Sequence, residues 1–216
     1  MPRRILQLAL GLVLYGAGCA LTIRAGWGVD PWTVLAEGLS AKTGIGVGWM
    51  ANILGAVVLL AWIPLRQRPG IGTVANVAVV GTAIQATLAF LPPATDGRLG
   101  AAMLIAGVAV VAIATGLYLG AGFGAGPRDG LMTGLHRSTG RPIWLCRLLI
   151  ESTVLFVGWL LGGTVGLGTV VFAFAIGPLV HLSLPLFDLS HPRRRGTHRG
   201  RPTVSAPGTP DARLPA

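Results

Sequence analysis

The sequence predicts an all-α fold, a polytopic membrane helix bundle of about six transmembrane helices built as two inverted three-helix repeats. Composition gives the first indication, because 52% of the 216 residues are hydrophobic and only 11% are charged. The mean hydropathy of +0.70 and the long apolar windows along the chain are typical of membrane proteins. The second indication is an internal repeat, since residues 11–81 align with residues 107–177 at a constant offset of 96, without a gap.

Six apolar windows reach the length of about 20 residues that a helix needs to cross a bilayer. The predicted spans cover roughly 5–24, 46–65, 71–91, 99–120, 142–161 and 167–187. We therefore predict a membrane domain over residues 1–187, with the first repeat at about 5–91 and the second at about 99–187. The residues shared by the two repeats are mostly glycine and proline, which set backbone geometry, so the halves should share a fold more closely than a chemistry.

A Gly-x-Gly-x-x-Pro motif follows the first span of each repeat. Its glycines and prolines are Gly26, Gly28 and Pro31 in the first copy, and Gly122, Gly124 and Pro127 in the second. Each motif continues into a segment of helical character that is too short to span. Proline suits the first helical turn, where its missing N–H costs nothing, with Asp30 and Gly126 as the N-caps. The sequence leaves open whether these short helices are interfacial or re-entrant.

The arginines predict the orientation. Basic residues are concentrated before the first span and in alternate loops, which places both termini in the cytoplasm by the positive-inside rule. Three spans per half is an odd number, so the second half enters the membrane from the other side. The repeat is therefore predicted to be inverted, with its two motifs facing opposite membrane surfaces.

Charge and missing motifs exclude several function classes. The net charge of +10 is explained by loop arginines and by the Arg- and Pro-rich tail at 188–216, so we do not expect nucleic-acid binding. The tail lacks the apolar residues for a core and is predicted to be a disordered cytoplasmic segment. Neither cysteine lies in a C-x-x-C pair, and no nucleophile, metal or nucleotide motif is present. We therefore expect no cofactor, no metal and no enzymatic activity.

The two motifs supply the first candidate substrate-binding residues. These are Asp30, Pro31 and Thr33 in the first copy, and Pro127, Arg128 and Asp129 in the second. They occupy the first turn of a helix, whose free N–H groups and dipole attract anions. Inverted-repeat transporters aim interrupted helices at a substrate in this way. The alternative is that each motif is only a capped helix joining two spans.

The fifth span contains a carboxylate, Glu151, near its centre. A charged side chain at this depth is costly and marks a functional hypothesis by default. Arg147 lies four residues earlier on the same helical face. The pair is therefore either an internal ion pair that packs in the bundle, or part of a proton- or substrate-linked site.

These features together resemble the YczE/YyaS/YitT family of bacterial integral membrane proteins. The motifs that carry the resemblance are Gly26-x-Gly28-x-x-Pro31-Trp32, the run from Gly124 to Met132 that includes Gly126-Pro127-Arg128-Asp129, and Arg147-x-x-x-Glu151. The resemblance covers residues 5 to 187 and implies a small protein of the bacterial inner membrane. Family members often have an aspartate where this chain has Thr33, so of a symmetric pair of carboxylates only Asp129 is present here.

Two functions from different classes remain. In the first, the protein is a small secondary transporter or exporter of an anionic or amphipathic small molecule, its two halves rocking about a central site. In the second, it is a scaffold or regulator that docks cytoplasmic partners and moves nothing. The two differ in whether Arg147 and Glu151 line a water-accessible cavity or pack dry. The expected partners are the lipid bilayer and the small molecule, and a homodimer is compatible with so small a bundle.

Overall fold

The computed structural model describes residues 1–188, which form eight α-helices and contain no strand. The helices are α1 (Pro2–Ala25), α2 (Pro31–Thr43), α3 (Val47–Ala61), α4 (Ile71–Phe90), α5 (Gly97–Gly120), α6 (Pro127–Thr139), α7 (Ile143–Leu160) and α8 (Leu167–Phe187). This confirms the all-helical fold class. Apart from Asp188, the predicted disordered tail lies outside the described residues.

Five helices are long and apolar enough to cross a membrane, namely α1, α4, α5, α7 and α8. The predicted second span is shorter than expected, because α3 has 15 residues and ends at Ala61. It ends there since Pro64 has no N–H and disfavours helical geometry in the residue before it. A sixth span results only if α2 and α3, bent by 114° at their junction, are taken as one.

The centre of the bundle is the antiparallel pair of α1 and α5. Gly18 lies against Gly107, whereas Gly11, earlier in α1, lies against Tyr118, later in α5. A Cβ on Gly18 would come within 3.0 Å of the carbonyl oxygen of Gly107, so the glycines allow the two backbones to approach closely. Helix α4 packs on α1, and α8 packs on α5. The main hydrophobic core lies among these four helices.

The repeat is visible in reciprocal contacts between the halves. The Gly72 N–H donates to the carbonyl of Phe123 at 3.0 Å, and the Gly168 N–H donates to the carbonyl of Trp27 at 2.7 Å. The two bonds join equivalent positions of the repeat, because Gly168 lies 96 positions after Gly72 and Phe123 lies 96 positions after Trp27. The loop before each short helix therefore rests on the start of the last helix of the opposite half. How the two halves lie relative to a bilayer stays a prediction.

The short helices begin as the sequence predicts. Pro31 and Pro127 are the first residues of α2 and α6, and Asp30 and Gly126 are the N-caps. Asp30 accepts hydrogen bonds from the backbone N–H groups of Trp32 and Thr33, at 3.2 and 3.3 Å. Each helix has 13 residues and ends at a glycine in the left-handed conformation. These ends need only local sequence, since capping acts within one turn.

The two halves differ in how their third helix packs. Helix α3 packs along α4, where the Gly48 N–H donates to Gln85 Oε1 at 3.2 Å and Asn52 Nδ2 donates to Thr82 Oγ1 at 3.1 Å. The corresponding helix α7 packs on α2 instead, and its contact with α8 is marginal. The gap left between α7 and α8 is therefore much wider than the space between α3 and α4.

Candidate functional site

The N-termini of the two short helices meet in an ion pair. Arg128, the second residue of α6, donates from Nη1 to Oδ1 of Asp30, the N-cap of α2, at 3.0 Å. Thr33 completes the first motif by donating its hydroxyl to the other carboxylate oxygen of Asp30. The side chain of Asp30 is 3% exposed and that of Arg128 is 30% exposed. The first turns of the two repeated short helices therefore meet inside the bundle.

Trp32 supports the ion pair from one side. The guanidinium of Arg128 lies over its ring, 5.2 Å from the centroid, a distance at which a cation is attracted to the π face. The indole N–H of Trp32 is buried and has no hydrogen-bond partner in the described part of the chain. Trp32 and Arg128 also line a small pocket of about 40 Å³ between α3 and α4.

A cavity of about 560 Å³ extends from the ion pair into the gap between α7 and α8. Its volume lies within the range of small-molecule sites. Most of the predicted binding residues line it, namely Asp30, Pro31, Pro127, Arg128, Asp129, Arg147 and Glu151. Thr33 does not, since it lies behind Asp30. Of the predicted backbone glycines only Gly126 lines the cavity, whereas Gly26, Gly28, Gly122 and Gly124 shape the loops around it.

Arg147 and Glu151 form an ion pair on the cavity wall. Arg147 Nε donates to Glu151 Oε1 at 3.0 Å, which is the i,i+4 geometry predicted for this helix. The side chains are 51% and 29% exposed. The two residues therefore do not pack dry between helices. The charges of Arg147 and Glu151 therefore offset each other at the cavity wall formed by α7.

Asp129 is the third carboxylate of the cavity. Its Oδ2 accepts a hydrogen bond from the hydroxyl of Tyr118 at 3.2 Å, and no ion pair to it is found within residues 1–188. The ring of Tyr118 meets that of Tyr15 edge-on, with centroids 6.2 Å apart and planes at 78°. Both rings line the cavity. The carboxylate of Asp129 thus lies beside the corner formed by the rings of Tyr15 and Tyr118.

Three aromatic residues of the cavity were not predicted as binding residues from the sequence, namely Tyr15, Tyr118 and Phe172. All three line the cavity, and the chain contains only two tyrosines. Both tyrosines fall inside predicted spans, where a buried phenol needs a hydrogen-bond partner. That requirement was the available signal, although the partner of Tyr118 lies 11 positions further on and could not be identified without the fold.

Close packing seals the end of the cavity beyond the ion pair. A Cβ on Gly28 would lie 2.5 Å from the backbone nitrogen of Gly166. Nearby, Gly158 and Gly163 of the second half press against the backbone of Val34 and Leu35 in α2. In the other direction, Leu119 and Leu184 line the cavity near the ends of α5 and α8. The cavity therefore points toward the side of the bundle where α1 begins.

The described residues contain no group of three or more His, Cys, Asp or Glu side chains placed to hold a metal ion. The two cysteines, Cys19 and Cys146, are free and buried. The chemistry available in the cavity is therefore that of charge pairs, phenols, aromatic rings and apolar side chains, together with the polar side chains of Asn76, Thr115 and His181. This set suits reversible binding of a small molecule.

Comparison with known proteins identifies relatives over nearly the whole described chain. A family described as "Family of unknown function (DUF6198)" matches residues 2–185. An "Uncharacterized protein" of Haemophilus influenzae is 38% identical over 177 residues, 82% of this chain and 81% of the relative. The "Uncharacterized membrane protein YczE" of Bacillus subtilis is 32% identical over 90% of this chain and 93% of its own. "Uncharacterized protein YyaS" of Bacillus subtilis is 25% identical over 86% of this chain and 94% of its own. No solved structure matches the chain.

Proposed function

The chain belongs to the DUF6198 family and is a membrane protein of the YczE and YyaS type, and from this premise we propose that it is a small secondary transporter. The proposed substrate is a small amphipathic molecule. The proposed mechanism is alternating access, in which the two halves rock about the cavity between them. The resemblance and the loop arginines support a place in the bacterial inner membrane with both termini in the cytoplasm.

The observation that carries the proposal is the cavity itself. Five charged side chains line it, contributed by both halves of the repeat. Ionisable groups inside a membrane domain are costly and usually mark a substrate or ion pathway. A dry structural role for Arg147 and Glu151 would bury them between helices, but they lie at the cavity wall with substantial exposure. The geometry thus supports the transporter over its alternative.

The unequal packing of the two halves supports alternating access. In the first half Gly81 lies against Gly48 and Asn52, which closes α3 onto α4. Its repeat partner is Gly177 on α8, where a Cβ would meet no atom within 4 Å. Exchanging the packing of the two halves would close α7 onto α8 at Gly177 and open α3 from α4. That exchange would move the opening of the cavity to the other side of the ion pair.

The ion pair of Asp30 and Arg128 is suited to the centre of such a movement. It joins the first motif to the second directly, at the closed end of the cavity. Each partner belongs to a different half, so the pair lies where the halves meet. We propose that it is retained as the halves rock, because separating two charges inside a membrane domain would be costly.

The alternative function, a scaffold that docks cytoplasmic partners, depends mainly on the arginine-rich tail. Almost all of that tail lies outside the described residues. A scaffold has no need of a cavity of about 560 Å³ that reaches the contact between the two halves. The transporter is therefore preferred.

A disulfide between α3 and α4 tests the proposal. The Cβ of Val77 lies 3.5 Å from the position of a Cβ on Gly55, which is within the range for a disulfide. We propose to place cysteines at both positions after replacing Cys19 and Cys146 by alanine. The full-length protein is then reconstituted in proteoliposomes, and flux is followed across a panel of amphipathic solutes.

Oxidation should stop flux by holding α3 on α4, and a reductant should restore it. The single variants Gly55→Cys and Val77→Cys serve as controls, since an oxidant should leave their flux unchanged. Full flux through the cross-linked protein would exclude the rocking movement. No flux of any solute in the reduced protein would count against transport itself.

A further inference from the structure

We infer that the molecule bound in the cavity is an amphipathic organic cation, held by the carboxylate of Asp129 beside the rings of Tyr15 and Tyr118. This inference rests on the proposed transport function and names its class of substrate. It departs from the anionic substrate that the sequence suggests through its arginines and helix N-termini.

The charges of the cavity exclude an anion as the favoured ligand. Three carboxylates, two guanidinium groups and the imidazole of His181 line it. Each guanidinium is already matched, since Arg128 binds Asp30 and Arg147 binds Glu151, both at 3.0 Å. The carboxylate left over is that of Asp129. The cavity therefore has one carboxylate more than it has guanidinium groups, and that unmatched carboxylate attracts a cation and repels an anion.

Asp129 is available to a ligand. Within the described chain its one hydrogen bond comes from the Tyr118 hydroxyl, at 3.2 Å to Oδ2. A carboxylate has two oxygens and about four acceptor sites, so most of its capacity is unused. It lies in the first turn of α6, next to the free N–H groups at the start of that helix. An ionised carboxylate in a mostly apolar cavity gains more from a cationic partner than it would in water.

The aromatic rings add a second preference for a cation. Tyr15 and Tyr118 meet at 78° with centroids 6.2 Å apart, so they form two walls of a corner. Tyr118 binds Asp129, which places the carboxylate at this corner. Phe172 lines the same cavity. Aromatic faces next to a carboxylate are the arrangement that recognises quaternary ammonium groups.

The apolar side chains on the remaining wall of the cavity explain why the ligand should be amphipathic. Met132, Ile176, Val180 and Leu184 line the part of the cavity that leads away from the ion pair. An apolar group on the ligand would cover these side chains while its charged group reaches Asp129. A small hydrated cation would leave them exposed to water and gain nothing from them. The ligand that fits both parts is therefore a lipophilic cation.

A matched pair of ions tests the inference. Tetraphenylphosphonium and tetraphenylborate have nearly the same size and shape and opposite charge. Their binding to the purified full-length protein in detergent is measured by equilibrium dialysis. We expect saturable binding of the phosphonium at least about 10-fold tighter than that of the borate, equal to about 1.4 kcal/mol.

Substitutions assign the binding to Asp129. Asp129→Asn should weaken phosphonium binding about 10-fold or more, and Asp129→Glu, which keeps the charge, should retain it. Tyr15→Leu should weaken binding by removing a π face without removing a charge. Asp96→Asn is the matched control, because Asp96 is an exposed N-cap outside the cavity, and it should bind as the wild type does.

Two results of the dialysis would overturn the inference, and one result of the flux measurement, given last, would do the same. One is borate binding equal to or tighter than phosphonium binding. The other is wild-type affinity in a folded Asp129→Asn protein, or, if that variant does not fold, in Tyr15→Leu. Dialysis needs no gradient, so phosphonium binding without flux in proteoliposomes would count against transport and leave the cation site standing. Flux of a neutral or anionic solute without phosphonium binding would count against the cation site alone.

Discussion

Asp30 and Arg128, which stand 98 positions apart in the chain, form an ion pair with an Nη1–Oδ1 distance of 3.0 Å. One is the N-cap of α2 and the other lies in the first turn of α6. The pair joins the two repeated motifs at the end of a cavity between the halves. Its burial gives the first prediction.

Asp30→Asn should destabilise the protein by about 3 kcal/mol, the lower end of the range for breaking a buried pair, since Arg128 is partly exposed. Asparagine caps helices as well as aspartate does, so the change removes the charge and keeps the cap. Thermal unfolding in detergent measures the loss. Asp96→Asn is the same change at an exposed N-cap that forms no ion pair within residues 1–188, and it should alter stability by less than about 0.5 kcal/mol. Equal melting of both variants would mean that the ion pair contributes nothing.

Gly28→Ala should be more damaging than Gly26→Ala. Both glycines have positive φ, of 101° and 71°, so alanine is strained at each by about 1–2 kcal/mol. A Cβ on Gly28 would also lie 2.5 Å from the Gly166 nitrogen and 2.7 Å from Thr169 Oγ1, whereas a Cβ on Gly26 would meet nothing within 4 Å. The excess destabilisation of Gly28→Ala, read from thermal unfolding, measures the contact between the halves. Identical losses would show that the contact is not tight.

Glu151→Gln should abolish proton-coupled flux and leave expression and the melting temperature unchanged. The pair with Arg147 is partly exposed, and such pairs contribute less than about 1 kcal/mol to stability. Flux is measured in proteoliposomes under a pH gradient. Arg147→Gln is the companion variant, since it removes the pair but keeps the carboxylate. Wild-type flux from Glu151→Gln would remove Glu151 from the mechanism.

Cysteine at position 177 should react with a charged, membrane-impermeant thiol reagent added on the side where α1 begins, which is the predicted cytoplasmic side. Gly177 lines the cavity and has free space in front of it. Phe174→Cys on the same helix is the control, because Phe174 is 80% exposed but does not line the cavity and should face lipid. The background carries alanine at positions 19 and 146. Protection of position 177 from both sides would mean that water does not reach the cavity.

The sequence predicted most of the elements. The short helices begin at Pro31 and Pro127 as expected, and the pairing of Arg147 with Glu151 follows from helical spacing alone. The second span was predicted to reach residue 65 because the apolar stretch runs on to Leu65, whereas α3 ends at Ala61, ahead of Pro64. A hydropathy window averages over such a residue, whereas the backbone responds to it at one position.

The sequence predicted which residues line the site but did not predict the contacts between them. Seven of the eight predicted binding residues line one cavity, since polar groups inside a membrane domain are few and mostly functional. Tyr15 and Tyr118 were missed because aromatic residues within spans are common. Their role in the proposed site depends on the carboxylate of Asp129, which lies beside them only in the folded chain.

Composition, glycine and proline spacing and the repeat determined by themselves that the chain is helical, membrane-embedded and built in two halves, because each of these properties acts through local backbone geometry or through transfer from water. The ion pair of Asp30 with Arg128, the excess charge on Asp129 and the side on which the cavity opens were decided by the tertiary structure alone. The repeat motifs are the same in the two halves, so they do not predict in which half the third helix packs against the fourth. The packing of the folded chain decides this. Here α3 rests on α4 through Gly48 and Gly81, while α7 packs on α2 and leaves Gly177 facing open space.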